Sequence, residues 1–539
     1  MDVTHEPGAT REFRPFTADL LARIKKHGPL KRLTSQHQRS FHLTHKQAGE
    51  LVDSPNDSDY SLKGLPDDTP KIQWLGLESD PSRFRIEGLV PRGETRRAKM
   101  KQDFLLAHGL PTEKFLEIYD LTEVPDHAEW LPQSSKRGGW WRRSRPQEPQ
   151  RVEKPPLQID EWKRRVIEQL EFRRTHSDDE YFNQYTGKYL VAWRNISPSD
   201  VDRVIDYIRR TDYVVVLREQ PVEASFVDIQ ETAEQDTYFS AAYSDNQVTV
   251  YVNNERVKFS NVRSFERNIP DLVKKFKSNI YNSNFSDDDA TNAYRSMIPC
   301  LRARETATGN TEYYHTYSTY FTERMLESAF RSINTSERYR GNPLLPEGGF
   351  DVTNAEHIRH FIQNFTPVNM AEYLADVHAL GISHGYAHGQ NWKLGVFLMD
   401  LDSMKGTPFG DPEPTDADRK NDVQRSIHAI DTLLSLDNLG PFKPSLNHSY
   451  VANKFLELNF LVSEHDKIFA MRKEAICQFL ARYLQRQTDT ITRDTITTFL
   501  ADLDIKEFKD KDGDYHSNPP ISKIDYGNRI LQLVTDEKG

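Results

Sequence analysis

The sequence predicts an α+β protein, and three features of the 539-residue chain support this class. The β-branched run at 213–217 is typical of a buried strand, and the patterns at 248–252 and 256–259 predict a hairpin. Beyond Gly349, apolar residues recur mostly at helical spacing. Strands in the middle of the chain, followed by a long helical part, are typical of an α+β protein rather than an all-helical one.

Composition excludes several classes of protein. Only 37% of the residues are hydrophobic and 28% are charged, but the aromatic share of 11% is typical of a chain with a packed core. The formal net charge of -10, from 71 Lys and Arg against 81 Asp and Glu, argues against a protein that coats nucleic acid with its whole surface. Two cysteines, Cys300 and Cys477, are too few for a disulfide framework or a four-cysteine zinc site.

The sequence predicts neither a membrane-spanning helix nor a secretion signal. No stretch approaches the roughly 18 consecutive apolar residues that a spanning helix needs. The first residues lack the basic and apolar regions of a signal peptide. Because the chain also has so few cysteines, we expect a cytoplasmic protein.

Residues 1–130 form the first predicted region, to which the sequence assigns no function. A short amphipathic helix is predicted at 16–24, and the Asp-, Ser- and Pro-rich stretch 53–70 indicates a loop. Residues 94–118 predict two helices that are separated by a Gly-Leu-Pro break at 109–111.

Residues 131–158 have the composition of a linker, with five prolines, two adjacent glycines and seven Lys or Arg. Within it, 136–145 places five basic residues around Trp140 and Trp141. One interpretation is a contact with an anionic partner, either nucleic acid or a membrane surface. The other is a solvated linker whose two tryptophans pack on a neighbouring domain.

Residues 159–285 predict an α+β middle region, with helices at 160–174 and 198–210 before the strand and the hairpin. An acidic, Asp- and Ser-rich break at 283–289 ends this region.

Residues 286–350 predict a further segment with strands and one helix. A strand is expected at 298–304, followed by a turn at 308–310. The Tyr- and Thr-rich run 312–320 predicts a second strand, and 321–333 predicts a helix.

The stretch 369–436 carries the chemistry that the sequence reveals. A helix at 370–380 leads into a His- and Gly-rich loop at 384–391. An apolar strand, 396–399, then runs into Asp400-Leu401-Asp402, and a further helix begins at 421–423. Amide and carboxylate oxygens therefore stand at both ends of a short hairpin.

The order of these features resembles the C-terminal lobe of the protein-kinase-like superfamily, nearest to the aminoglycoside and small-molecule kinase branch. The loop pattern of that branch is His-Gly-Asp-x-His-x-x-Asn, and His384-Gly385 and Asn391 fall at its His, Gly and metal-binding Asn. Asp400 resembles the Asp that opens the activation segment of the family. The resemblance is strong over 369–436 and weak over 290–500. It implies a bilobal domain, with 286–350 as the smaller lobe and 351–539 as the helical lobe.

The resemblance also implies an anchoring role for Asp422. In the family, an Asp at the start of the central buried helix bonds back to the backbone of the catalytic loop. We therefore expect Asp422 to be buried, with its carboxylate accepting hydrogen bonds from backbone N–H groups near His384.

The resemblance implies that ATP and Mg²⁺ are the cofactors. A nucleotide triphosphate needs divalent cations to neutralise its phosphates, and Mg²⁺ prefers oxygen ligands. Asn391, Asp400 and Asp402 are the expected metal ligands, and Asn391 and Asp400 also belong to the expected nucleotide site. Arg304 and Glu323 fall nearest to the strand Lys and the helix Glu with which the family grips the phosphates.

One position departs from the family pattern. Active members have an Asp at the third loop position, where it accepts the proton of the substrate hydroxyl, and this chain has Tyr386. A phenol, with an ordinary pKa near 10, is a weak base at neutral pH. His388 is the nearest titratable alternative, so Tyr386 and His388 are the candidate catalytic residues. His384 and His388 also have the spacing of helix-borne metal pairs, but their glycine-rich surroundings predict a loop.

Three functions follow as hypotheses. The first is a kinase-fold protein that binds ATP and Mg²⁺ and acts as an atypical nucleotide-dependent transferase or a weak kinase. The second is a pseudokinase scaffold without catalysis that binds a protein partner; a protein is also a possible substrate under the first hypothesis. The third is a nucleic-acid-associated protein that uses the basic patch at 136–145.

Overall fold

The computed structural model places helices and strands in both halves of the chain. The structure describes the following residues: 13–28, 30–32, 40–55, 58–65, 72–74, 84–86, 89–124, 129–130, 151–152, 156–176, 201–220, 222, 224–229, 239–244, 247–252, 255–277, 287–305, 312–434, 464–488, 490–505 and 522–536. Its mixture of helices and strands confirms the α+β class.

The chain divides into two units, Met1–Lys99 with Glu113–Gln220, and Met100–Thr112 with Pro221–Gly539. The region boundaries drawn from the sequence stay predictions. None of the described helices is long and apolar enough to cross a membrane.

The first unit is built on a seven-stranded mixed sheet. The strands of this unit are β1 (Arg14–Phe16), β2 (Lys31–Arg32), β3 (Ser40–Leu43), β4 (Asp59–Lys63), β5 (Ile72–Trp74), β6 (Phe84–Ile86), β7 (Val90–Pro91), β8 (Lys114–Leu121), β9 (Glu123–Val124), β10 (Glu129–Trp130), β11 (Arg151–Val152), β12 (Leu157–Gln158) and β13 (Tyr213–Gln220). The sheet has the order β1-β8-β13-β4-β3-β2, and β7 also pairs with β13. β1 and β8 are parallel, and the other pairs are antiparallel.

Five helices lie among the described residues of the first unit, although α3 is divided between the two units after Lys99. They are α1 (Ala18–Lys26), α2 (His45–Ala48), α3 (Arg92–Ala107), α4 (Ile159–Thr175) and α5 (Val201–Arg210). The predicted strand at 213–217 and the helices at 16–24, 160–174 and 198–210 are therefore confirmed over their described residues. The linker 131–158 is described only at 151–152 and 156–158, so its basic patch 136–145 lies outside the described residues.

The core of the first unit explains why these helices form. Val201, Val204, Ile205 and Ile208 are buried on one face of α5, at the spacing that a helix needs to pack on a sheet. Each such side chain stabilises the fold by roughly 1.5–3 kcal/mol when it is fully buried. Trp162 of α4 joins the same core, and its ring packs edge-to-face at 6.2 Å from that of Tyr213.

The prediction of two helices at 94–118 is half wrong. The first part forms α3, but residues beyond the Gly109 break form the strand β8. Lys114, Leu116 and Glu117 favour a helix locally, yet β8 pairs with β13 on one side and with β1 on the other. Backbone pairing on both sides, with Phe115 and Tyr119 buried, outweighs the helix propensity of the segment.

The second unit begins with a four-stranded antiparallel sheet and the helices packed near it. The sheet has the order β16-β15-β14-β17, which confirms the predicted hairpin at 248–252 and 256–259. These elements are β14 (Phe239–Ser244), β15 (Gln247–Val252), β16 (Glu255–Phe259), α6 (Val262–Arg267), α7 (Ile269–Lys277), α8 (Asp287–Ser296), α9 (Ile298–Glu305), β17 (Glu312–His315) and α10 (Thr316–Thr335).

Two strand predictions in this part are wrong. Arg304 lies in the helix α9 and not on a strand, because Leu, Arg, Ala and Glu favour a helix and Pro299 fits a first helical turn. The strand at 312–320 ends at His315, and the residues from Thr316 onwards are helical. Thr322, Leu326, Phe330 and their neighbours are buried at helical spacing in α10, which outweighs the β propensity of its first turn.

The rest of the second unit is mostly helical, as predicted. Its main elements are α11 (Ala355–His360), which continues into a π-helical turn at Phe361–Phe365, α12 (Thr366–Ala379), β18 (Ile382–Ser383), β19 (Trp392–Lys393), β20 (Phe397–Leu398), β21 (Lys405–Gly406), α13 (Asp416–Leu433), α14 (Glu464–Gln487), α15 (Arg493–Ala501) and α16 (Lys523–Asp536). Arg472 of α14 forms a buried two-point ion pair with Asp431 of α13, at 2.5 and 2.9 Å. The same guanidinium donates to the hydroxyl of Tyr526 on α16, so one side chain joins three helices.

Candidate functional site

A short hairpin brings the two ends of the predicted metal site together. β19 and β20 pair antiparallel, with Trp392 opposite Leu398. The next pair along the ladder is Asn391 and Met399, and the Met399 amide donates to the Asn391 carbonyl at 2.9 Å. Asp400 follows directly, so Asn391 and Asp400, which flank the hairpin in the sequence, come together at its open end.

The turn of this hairpin is strained and supported from outside. Val396 is fully buried and has φ of 59°, which is uncommon for a β-branched residue. The Tyr339 hydroxyl donates to the carbonyls of Gly395 and Val396 at 3.0 and 3.3 Å. Burial raises the pKa of Tyr339 to about 12, so its hydroxyl stays protonated and able to donate.

Asp422 anchors the loop in the predicted way. Its side chain is fully buried in the second turn of α13, which begins at Asp416 and not at the predicted 421–423. Oδ2 accepts from the His384 amide and Oδ1 from the Gly385 amide, both at 2.7 Å. The Ser383 hydroxyl donates to Oδ2 at 2.8 Å, and His378 Nε2 lies 3.3 Å away. The expectation of a buried Asp422 bonded to backbone N–H groups near His384 is confirmed.

The electrostatics of the anchor agree with its geometry. Burial on its own raises the pKa of Asp422, but the hydrogen bonds from His378 and Ser383 help to hold it below its usual value. The Asp422 carboxylate is therefore ionised in the folded protein at neutral pH.

His384 has a structural role inside the loop. Its side chain is fully buried, and Nε2 lies 2.7 Å from the Met399 carbonyl, while Nδ1 accepts from the Tyr386 amide at 3.3 Å. Both contacts fit a neutral ring with the proton on Nε2. Burial lowers the pKa of His384, which agrees with that form. A ring that uses both nitrogens in this way is not available as a metal ligand.

Asn391 is oriented by the loop. It is nearly fully buried, and its Nδ2 donates to the Tyr386 carbonyl at 2.7 Å. This bond fixes the amide so that Oδ1 is the side-chain atom available to accept from a ligand or to bind a cation.

Asp400 is held in an uncommon backbone conformation. Its φ and ψ are 60° and 61°, in the left-handed region, and a short 3₁₀ turn at Leu401–Ser403 follows it. Residues held in this way cost about 1–3 kcal/mol and cluster at functional sites. Asp402 lies within that turn and is half-buried.

Lys101 supports the segment after Asp400, and sequence reasoning missed it. Its ammonium group is buried and donates to the carbonyls of Leu401, Asp402 and Met404 at 3.0, 3.2 and 2.5 Å. A lysine in a charged helix carries no sign of such a role, because its partners lie 300 residues further along the chain.

The two candidate catalytic residues sit side by side, and a third side chain covers one of them. The rings of Tyr386 and His388 are perpendicular, with centroids 6.1 Å apart. The guanidinium carbon of Arg425 lies 4.8 Å from the centre of the Tyr386 ring. The position of the usual Asp is therefore occupied by a ring beneath a cation. Sequence reasoning did not single out Arg425, although it follows Asp422 by one helical turn.

Arg304 and Glu323, the two residues expected to grip the phosphates, lie on the helices α9 and α10. Arg304 lies in α9, and its side chain is outside the described residues. Glu323 is half-buried in α10. Their pairing, and their part in a nucleotide site, stay predictions.

The side-chain oxygens of Asn391, Asp400 and Asp402 are the candidate ligands for a cation. Among the described residues, no three His, Cys, Asp or Glu side chains form a group that could hold a metal ion. Asn391 with Asp400 and Asp402 offers one amide and two carboxylates, which is the kind of partial oxygen set that binds Mg²⁺ together with phosphate oxygens. The oxygens of these three side chains are thus of the type that Mg²⁺ binds, and a complete site would need further oxygens from a ligand or from water.

No family model, curated protein or solved structure matches this chain. The likeness to the kinase-like lobe therefore depends on the residues and contacts described above.

Proposed function

We propose that the second unit carries a kinase-like site that binds ATP together with Mg²⁺. The observation that supports this most directly is the anchoring of the loop by Asp422, since it accepts from the His384 and Gly385 amides as the resemblance requires. The hairpin that places Asn391 and Asp400 at one end is the second support. In this proposal the smaller lobe is formed by 286–350 and the helical lobe by 351–539.

Mg²⁺ would be held by Asn391 Oδ1 and by the carboxylates of Asp400 and Asp402. When bound, the ion would offset the negative charge of the nucleotide phosphates. The Tyr386 carbonyl orients the Asn391 amide toward this task. The buried Lys101 fixes the backbone that follows Asp400 through three carbonyls, and thereby limits where the two carboxylates can lie.

The reaction we propose is nucleotide-dependent transfer without the usual Asp base, by an atypical transferase or a weak kinase. Tyr386 stands where that Asp would accept the proton, and its ring packs beneath Arg425. The alternative is a pseudokinase scaffold that binds nucleotide without turnover, and the covered Tyr386 ring is the observation that favours it. Nucleic-acid association through 136–145 is the third candidate, and no described contact bears on it.

The first prediction is that ATP with Mg²⁺ raises the melting temperature of the full chain. A ligand that binds only the folded state stabilises it by roughly 2.7 kcal/mol at a concentration one hundred times its Kd. Asp400→Ala should abolish the rise, because it removes a metal ligand from the end of the hairpin. Differential scanning fluorimetry, with and without millimolar ATP and Mg²⁺, provides the measurement.

The matched control is Asp504→Ala, which removes an exposed carboxylate elsewhere in the second unit and should keep the full rise. An unchanged melting curve of the wild type at millimolar ATP and Mg²⁺ contradicts the nucleotide proposal.

The second prediction separates the transferase from the scaffold. Tyr386→Asp should create or increase phosphotransfer to a hydroxyl, because general base catalysis contributes typically about 10²–10⁴-fold. The gain should be larger when Arg425→Gln is added, since the Arg425 guanidinium otherwise pairs with the new carboxylate. Transfer of radioactive γ-phosphate to the protein and to added acceptors provides the measurement.

Tyr386→Phe is the control, since it keeps the ring and removes only the hydroxyl. Loss of turnover in Tyr386→Phe with ATP binding intact indicates a transferase that uses the phenol. If the wild type is a robust hydroxyl kinase and Tyr386→Phe is fully active, His388 becomes the residue to replace and this account of the loop is wrong.

A further inference from the structure

Arg425 lies directly beside the candidate loop. It is half-buried on α13, one turn beyond Asn421, and its Nε donates to the Asn421 Oδ1 at 3.2 Å. Its guanidinium carbon lies 4.8 Å from the centre of the Tyr386 ring. The hydrogen bond at Nε and the contact with the ring restrain this guanidinium, whose fork of N–H donors matches the oxygens of an oxyanion.

Arg425 differs from two other cations of α13 in its charge partners among the described residues. Two other cations of α13, Arg419 and Lys420, pair with Glu413 and Asp502. Arg425 forms no ion pair within the part of the chain that the structure describes, and its only hydrogen bond there uses Nε. Among the described residues, neither terminal nitrogen of the fork has a hydrogen-bond partner, and these two nitrogens are the pair that binds oxyanions in a two-point manner.

The position of this cation links it to the metal site. Arg425 stacks on Tyr386, whose carbonyl accepts from the Asn391 amide at 2.7 Å. One residue therefore connects the cation to the side chain that would hold Mg²⁺. Where active kinase-like proteins present a carboxylate to the acceptor, this chain presents a ring beneath a positive charge. Such a site suits an acceptor that is itself negatively charged.

We propose that Arg425 and the Tyr386 ring form an acceptor subsite for a phosphate group of a small-molecule substrate. Arg425 binds the phosphate oxygens with its two terminal nitrogens, and Tyr386 holds the plane of the guanidinium. The role of this subsite as an acceptor site rests on the proposed function. Its affinity for phosphate does not depend on nucleotide binding.

The test uses inorganic phosphate as the probe and the full chain as the protein. Phosphate should raise the melting temperature of the wild type in a saturable manner, beyond the effect of potassium chloride at the same ionic strength. Arg425→Gln should weaken this phosphate binding about tenfold or more, because charge-assisted hydrogen bonds to the anion are lost. Arg493→Gln is the matched control, since it removes the same charge from an exposed site on α15 and should leave phosphate binding unchanged.

Phosphate also stabilises proteins by exclusion from their surface, and this effect is equal in the wild type and in both variants. Equal phosphate response in the wild type and Arg425→Gln therefore overturns the subsite. A second variant, Tyr386→Ala, should also weaken phosphate binding, whereas Tyr386→Phe should keep it, because only the ring is needed. If Tyr386→Ala binds phosphate with wild-type affinity, the Tyr386 ring is not part of the subsite.

The result is distinguishable from failure of the nucleotide proposal. Asp400→Ala should lose the response to ATP and Mg²⁺ but keep the response to phosphate, and Arg425→Gln should show the opposite pattern. If neither the wild type nor any variant responds to ATP and Mg²⁺, while phosphate binding still depends on Arg425, the phosphate subsite is supported and the kinase-like function is not. If phosphate binding is lost in Asp400→Ala instead, the probe occupies the metal site and the Arg425 subsite is wrong.

Discussion

Asp422→Ala should lower the free energy of unfolding by about 3–5 kcal/mol, the range found when one partner of a buried charged network is removed. The carboxylate is fully buried and accepts from two backbone amides and the Ser383 hydroxyl at 2.7–2.8 Å. Its removal leaves those donors in a site that water does not reach, which costs free energy for each of them. Urea denaturation followed by circular dichroism measures the change.

The control is Asp416→Ala, which removes an exposed carboxylate from the first turn of the same helix. Its expected cost is less than about 1 kcal/mol, the size of a helix-terminus charge effect. If Asp422→Ala costs no more than Asp416→Ala, the loop is held by other contacts and the anchoring role fails.

The pH dependence of stability follows from the same cluster. The pKa of Asp422 is lowered in the folded state, so its contribution is fully present above its unfolded pKa and is lost as the pH falls through the folded value. The pKa of His384 is also lowered, so the unfolded chain takes up a proton below about pH 6.5 that the buried ring does not. Both groups therefore make the fold less stable on acidification, His384 first. Melting temperatures measured from pH 8 to pH 5 should fall in the wild type and fall less in His384→Asn.

The sequence could predict those parts of the site whose residues lie close to each other along the chain. Asn391 and Asp400 flank one short hairpin in the sequence, and Asp422 lies in the second turn of the helix that follows. Chain order alone brings such residues near each other, so the anchoring of the loop was predictable. The hairpin at 248–259 was predictable for the same reason, since its alternating pattern and its turn are adjacent in sequence.

The parts that the sequence could not predict depend on distant partners. β8 looks helical until its pairing with β13, almost one hundred residues away, is known. α9 begins with Ile298 and Cys300, which suit a strand, but the helix-favouring residues that follow them outweigh this signal. The cation over Tyr386 belongs to another element of the fold, so Arg425 could be found only from the structure. Local propensity is a weak guide where tertiary contacts decide.

The last prediction concerns Lys101, which joins α3 to the segment after Asp400 within the second unit. Lys101→Met should lower the free energy of unfolding by roughly 3–5 kcal/mol, the range found when one partner of a buried charged group is removed. The variant leaves buried carbonyls unsatisfied, which costs free energy, but it also removes the cost of burying the ammonium. It should also weaken the ATP and Mg²⁺ response, since the turn that carries Asp402 loses its three contacts.

Urea denaturation and the nucleotide-dependent melting temperature measure these two effects separately. Arg96→Met is the control, because it replaces an exposed cation on the same helix and should change neither quantity. A Lys101→Met protein that is destabilised but binds ATP and Mg²⁺ with wild-type affinity would show that Lys101 supports the fold without positioning the carboxylates. A Lys101→Met protein with wild-type stability would show that the hydrogen bonds from Lys101 to the three carbonyls do not stabilise the fold.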